Sequence, residues 1–148
     1  MEVTAFVARV HGDDGEAGRI IGFVELVQRQ SAAAPWDGFW ILATMVATRY
    51  RGMGVAEALV QAAIAAACES GADEVRLTVF ADNVPALALY RKLGFVPGAS
   101  PALAELLHAE ARRSGRRQVA LRLTLDGPAA ASAASVAPVR VDVTEAAS

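Results

Sequence analysis

Residues 39–80 constrain the fold more tightly than any other stretch of the chain. FWILATMVA (39–47) is an apolar run of strand length without helical period, and it reads as a strand buried on both faces. After the turn Arg51-Gly52-Met53-Gly54, apolar side chains recur at helical spacing: Ala56, Leu59, Val60, Ala63, Ile64 and Ala67. Glu57, Gln61 and Glu69 fall mostly off that stripe, and Ser70-Gly71 supplies a helix stop. VRLTVF (75–80) is a second strand. Strand, helix, strand at this spacing is a crossover unit, which demands parallel pairing and a right-handed connection. The helix then has to lie on one face of a sheet.

The flanking elements add antiparallel neighbours. Val3–Val10 and Ile20–Val27 are strands separated by the acidic, glycine-containing HGDDGEAG, so they read as a hairpin with a long loop. Asn83 caps a second helix with Pro85 in its first turn, where a missing N–H does no harm. Ala86, Leu89, Tyr90 and Leu93 form its stripe and Gly94 closes it. Phe95-Val96 is extended, Pro101–Arg113 reads as a third helix, and QVALRLTL (118–125) alternates as a final strand. The expected fold is α/β (α+β): a mixed, mostly antiparallel sheet with a central βαβ crossover. Residues 1–126 form the domain. Residues 127–148, rich in Ala, Ser and Pro, read as a disordered tail, although Val139, Val141 and Val143 alternate as a short edge strand would.

Composition removes several functional classes. The chain has 148 residues, enough for one domain with a proper core. It is 54% hydrophobic, yet no apolar run reaches the ~20 residues of a membrane span. The start lacks a basic n-region and meets Asp13 and Asp14 early, against a signal peptide. A single cysteine, Cys68, rules out an internal disulfide or a cysteine-based metal site, and it reads as inert filling on an alanine-rich helix. His11 and His108 lie far apart in sequence, so no metal site is expected. A net charge of −2 gives no general attraction to nucleic acid. These features point to a cytoplasmic chain with neither membrane nor nucleic acid as partner.

The glycine turn is the one place where the residues themselves point to a ligand. Glycines let the backbone approach a ligand closely, and the first helical turn offers unpaired N–H groups at a positive dipole end. Together these suit phosphate, and Arg49 and Arg51 add full charges. Glycines alone, however, equally serve a plain turn. A P-loop fails because Val55-Ala56 follows Gly54 where Lys-Ser/Thr is needed. The dinucleotide fingerprint fails because its last position would be Glu57, whose carboxylate repels a pyrophosphate.

Arg51-x-x-Gly54-x-Ala56 resembles the R/Q-x-x-G-x-G/A signature of the GNAT N-acetyltransferase superfamily. Asn83-Val-Pro-Ala86-Leu-Ala-Leu-Tyr90-Arg-Lys-Leu-Gly94-Phe95 resembles that family's second motif, N-x-x-A-x-x-L-Y-x-x-x-G-F. The two stand in order, one helix and one strand apart, and the resemblance covers roughly residues 3 to 125. It implies acetyl-CoA, or another acyl-CoA, as donor substrate, with no metal. Backbone amides from Arg51, Gly52, Met53, Gly54, Val55 and Ala56 would hold the CoA pyrophosphate. Main-chain groups of Met45 and Val46 would meet pantetheine and the thioester carbonyl, as an oxyanion hole does. Asn83 matches a cofactor-contacting position and is equally well a helix cap. Tyr90 matches the tyrosine that gives a hydrogen bond or proton to the departing sulfur, although it also falls on an apolar stripe.

The acceptor would be an amine, neutral when it attacks. An α-amine of pKa about 8 needs little help, whereas a lysine-like amine needs a base. Glu25, in line with Ile21, Phe23 and Val27, is the one carboxylate placed in an apolar strand; it reads either as an edge-exposed structural residue or, where desolvation tunes it, as that base. The chain departs from the family by starting at the hairpin, without the usual first strand and two helices. The acceptor cleft is then open, closed by a partner chain (a homodimer included), or missing a piece. A non-catalytic acyl-CoA-binding or regulatory module is the alternative. The arginines at 112, 113, 116 and 117 read as a solvated helix end, and Trp36 and Trp40 are candidates for the cleft or the core.

Overall fold

A computed structural model describes residues 2–10, 18–29, 35–125 and 141–146. The elements follow the order β1 (Glu2–Val10), β2 (Ile20–Arg29), β3 (Gly38–Val46), α1 (Val55–Glu69), β4 (Glu74–Phe80), α2 (Val84–Lys92), β5 (Val96–Pro97), α3 (Pro101–Ser114), β6 (Gln118–Thr124) and β7 (Val141–Glu145). A 3₁₀ turn, Thr48–Tyr50, leads out of β3. The strands form one sheet in the order β5-β6-β4-β3-β2-β1-β7. Every pairing is antiparallel except β3 with β4, the two strands joined by α1. This is the mixed, mostly antiparallel sheet with a central crossover that the patterning predicts.

Helices cover both faces. The α1 stripe buries Leu59, Val60, Ala63, Ile64 and Ala67 against Val24, Leu26, Ile41, Val75 and Leu77. Tyr90 of α2 and the adjacent Phe95 join this same cluster. Each fully buried aliphatic side chain there contributes about 1.5–3 kcal/mol, so the crossover unit is also the centre of the core. On the other face, α3 places Leu103 against Trp40 and Ala120, with Trp36 and Leu107 at the margin. The Trp36 and Trp40 rings meet at 5.1 Å between centroids, and Trp40 Nε1 donates to the Asp37 carbonyl at 3.0 Å. Trp40 therefore belongs to the core.

Three expectations change. β3 is buried on both faces only around Trp40 and Ile41, and from Ala43 onward it alternates with exposed positions, Met45 being 57% exposed. The reason is that β3 leaves its parallel neighbour there, as described below. Second, residues 141–145 of the expected disordered tail form β7, which pairs with β1 from Val10–Val141 to Phe6–Glu145. Alternating valines supply an edge strand wherever a neighbouring strand offers free backbone groups, and β1 does so. The rest of the tail, like His11 and the other residues of 11–17 and 30–34, lies outside the described residues. Third, the basic run after α3 is not uniformly solvated: the Arg116 guanidinium lies 3.5 Å above the Phe80 ring and 3.5 Å from Asp82. No described helix is long and apolar enough to cross a membrane.

Candidate active site

The parallel pair is short. β3 and β4 are in register only at Phe39–Val75 and Trp40–Arg76, although both strands run on, to Val46 and Phe80. Beyond Trp40 they part and leave a wedge. On its other side β3 bulges: between the pairs Glu25–Leu42 and Phe23–Met45, the residues Ala43 and Thr44 face Val24 alone. Ala43 sits at φ 52°, the sole non-glycine with positive φ among the described residues, and such a backbone costs of order 1–3 kcal/mol. The surrounding pairs hold that strain in place.

The wedge opens into a cleft of about 750 Å³. Its walls are the second half of β3, the end of β4, the turn into α1 and the inner side of α2. Met45, Val46, Arg51, Gly52, Gly54, Val55, Ala56, Asn83 and Tyr90 all line it, so residues distant in sequence come together as one site. Glu25 and Met53 do not. Glu25 is half-buried in β2, across from Ala5 and Leu42, and Met53 points outward at 39% exposure.

The turn into α1 is built around glycine. Gly52 and Gly54 have φ of 78° and 81°, the left-handed region that side chains disfavour. Gly54 is the N-cap residue of α1 and provides no side-chain cap. Among the described residues, no acceptor meets the backbone N–H groups from Gly52 to Glu57. They converge on the positive end of a 15-residue helix, equivalent to roughly half a unit charge. Arg51, expected among the cofactor-binding residues, lines the cleft with its own backbone N–H already engaged. Its backbone N–H donates to the Thr48 carbonyl at 3.3 Å and its Nε to the Val46 carbonyl at 3.1 Å. The 3₁₀ turn draws its amide inward, so Arg51 braces the end of β3 and the free amides begin at Gly52. Arg49 rests its guanidinium 5.8 Å from the Tyr50 ring centre.

At the opposite wall, Asn83 Oδ1 accepts from the Ala86 N–H at 3.3 Å, so Asn83 is the cap of α2 as well as part of the lining. Tyr90 is buried, with its ring edge-on to Phe95 at 5.6 Å. Burial pushes its phenol above the usual tyrosine value, and a hydrogen bond with the Thr44 side chain offsets this in part. The phenol is therefore protonated throughout the neutral range. Thr44 escapes a sequence reading, because nothing in ATMVA marks it. It reaches Tyr90 only through the β3 bulge. Thr78 and Phe80, which line the β4 side, are likewise ordinary strand residues in the sequence. Cys68 is buried in the α1 core, and among the described residues no His, Cys, Asp or Glu group has the arrangement of a metal site.

Comparison with known proteins agrees with this geometry. The model of the Acetyltransferase (GNAT) family matches residues 3–95, from β1 to the end of the α2 motif. N-alpha-acetyltransferase MAK3 of Arabidopsis thaliana is 47% identical over 57 residues, which are 38% of this chain and 30% of that protein. Nourseothricin acetyltransferase superimposes with a TM-score of 0.61 at 30% identity, over 82% of this chain and 65% of its own. A Bacillus subtilis acetyltransferase solved with CoA gives a TM-score of 0.61 at 22% identity, covering 82% of this chain and 77% of that one. The chain thus spans under a third of MAK3 and just under two thirds of the nourseothricin enzyme.

Proposed function

The chain belongs to the Acetyltransferase (GNAT) family, and from that premise we propose that it transfers an acetyl group from acetyl-CoA to a primary amine by direct attack in a ternary complex. The observation that carries this reading is the wedge between β3 and β4, with the uncapped start of α1 at one end and the Tyr90 hydroxyl within it. The free amides from Gly52 to Glu57 receive the CoA pyrophosphate, as helix starts receive phosphate elsewhere. The edge of β3 that has parted from β4, along Thr44, Met45 and Val46, offers main-chain groups to the pantetheine arm, in the manner of an added strand, with the Val46 carbonyl already accepting from Arg51 Nε.

Chemistry then follows from the groups at hand. The neutral amine attacks the thioester carbonyl carbon, a C–N bond forms, and negative charge collects on the oxygen. Backbone donors on β3 stabilise that charge. When the oxyanion collapses, the C–S bond breaks and the electron pair leaves on sulfur. Tyr90 donates a hydrogen bond to this thiolate. Its phenol, raised above 10, is a weaker acid than a thiol of pKa ~8.5, so the bond matters more than complete proton transfer. The attacking nitrogen gives its surplus proton to solvent. Glu25 is the candidate to assist an amine of higher pKa, from the face of the sheet that carries Phe23 and Val27. The names of MAK3 and its kind favour a peptide α-amine as acceptor, and the nourseothricin enzyme keeps a small-molecule amine in view.

Two measurements decide the matter. Calorimetric titration with acetyl-CoA is expected to show saturable binding, and its absence overturns the reading. Thiol release from acetyl-CoA is then followed across peptides with free N-termini and small amines. Turnover with at least one class is expected. Binding without turnover across the panel assigns the chain to a non-catalytic acyl-CoA-binding module instead.

A further inference from the structure

The start of α1 holds two opposed features. Its free amides and positive helix end attract an anion, yet Glu57, in the first turn, lines the same cleft. A carboxylate there competes with a diphosphate for the same helix end and repels it. Among the described residues, the hydrogen bond of the Glu57 carboxylate is not to the N-terminal amides of α1. Its Oε2 accepts instead from Lys92 Nζ at 2.9 Å. Lys92 comes from the last turn of α2, 35 residues away, and is absent from the cleft lining, so it approaches Glu57 from outside the cleft. The pair joins the two helices that flank the cleft.

We propose that Lys92 is a positioning residue of the donor site: its ammonium neutralises Glu57 and draws the carboxylate away from the α1 amides, leaving them to a diphosphate. The proposal rests on the donor reading above. Stability is a poor account of the pair, because ion pairs open to solvent contribute little and, although Glu57 is 25% exposed, the Lys92 side chain is 69% exposed. Lys92 is also well placed without Glu57, since a cation at the C-terminal end of α2 suits that helix dipole. The pair therefore matters chiefly for what it does to Glu57.

The test is a double-mutant cycle read by calorimetry with two probes, acetyl-CoA and S-acetylpantetheine, which has no diphosphate. Lys92→Met is expected to weaken acetyl-CoA binding about three- to tenfold at low salt, with S-acetylpantetheine unaffected. Glu57→Gln is expected to bind acetyl-CoA at least as tightly as the wild type. The double variant should match Glu57→Gln, and Lys92→Arg should restore wild-type affinity. A loss that persists in the Glu57→Gln background overturns the proposal, because Lys92 then acts on the phosphates directly. Equal loss for both probes overturns it in favour of a structural role, and unchanged affinity in Lys92→Met overturns it outright. A wild-type chain that fails to bind acetyl-CoA is a different failure, that of the donor reading itself.

Discussion

The three α-helices of the described residues begin in two different ways. At α2, Asn83 Oδ1 takes the Ala86 N–H, and at α3, Ser100 Oγ takes the Leu103 N–H at 3.2 Å. Each also carries a proline in its first turn, which removes one orphan donor altogether. These two starts are completed by the chain's own residues. α1 has neither device: a left-handed glycine stands at its N-cap, no proline follows, and the amides face an open cleft. Helix starts without a protein partner rely on water or a ligand. The contrast teaches that a helix start is left open to a ligand by the capping residue it omits.

Breaking α1 directly is expected to have the largest effect. Gly54→Val places a β-branched residue at φ 81° in the path of the amides. Donor affinity should fall on the order of 100-fold, from strain of up to about 3 kcal/mol and the loss of close approach. Calorimetry with acetyl-CoA measures it, circular dichroism verifies the fold, and unaltered affinity refutes the cradle.

Tyr90→Phe comes next and acts on turnover rather than binding. kcat should drop about 10- to 100-fold with the donor KM nearly constant, the loss of one hydrogen bond made in the transition state. The sign of the pKa shift adds a second check. A phenol raised by burial is protonated below its ordinary pKa of ~10, and it loses the proton only as pH rises through its higher folded value. The ratio of wild-type to Tyr90→Phe rates is therefore expected to be flat from about pH 6 to pH 9. A ratio that decays within that window, or an unchanged kcat, returns Tyr90 to the core.

The smallest effects sharpen the other half of the contrast. Ser100→Ala should cost about 1 kcal/mol of stability, about 3 °C in Tm, with donor affinity intact. Asn83→Ala should cost a similar amount and also weaken the donor, since Asn83 both caps and lines. Thermal melts paired with titrations separate the two. If Asn83→Ala behaves like Ser100→Ala, Asn83 is a cap alone.

What was legible beforehand is what local chemistry decides. Asn83 with Pro85 marks a helix start within a few residues, and the stripe from Ala56 to Ala67 names its own buried face. The glycine turn was readable for the same reason, since left-handed backbone selects glycine wherever it occurs. Long-range features were silent. The bulge that brings Thr44 to Tyr90 depends on how β2 and β3 register, and the Lys92–Glu57 pair depends on how α2 lies along α1. Glu57 looked hostile to an anion because its partner is 35 residues distant. The 3₁₀ turn that engages the Arg51 amide likewise leaves no trace in Thr-Arg-Tyr-Arg. Val141 to Glu145 looked like tail because an edge strand is defined by its neighbour rather than by itself.

The brief seam between β3 and β4 has a mechanical side. Backbone bonds knit β5, β6 and β4 into one panel and β3, β2, β1 and β7 into another, while between the panels the strands are in register only at Phe39–Val75 and Trp40–Arg76 among the described residues. α1 is the spine of this book, and its covers stand ajar at the proposed donor site. A molecule lodged between them stitches the panels together, and at a hundredfold excess over its Kd it adds about 2.7 kcal/mol to the folded state. The gap thus leaves the middle of the sheet with little backbone pairing, and side-chain packing beneath α1 and α3 holds the panels together there.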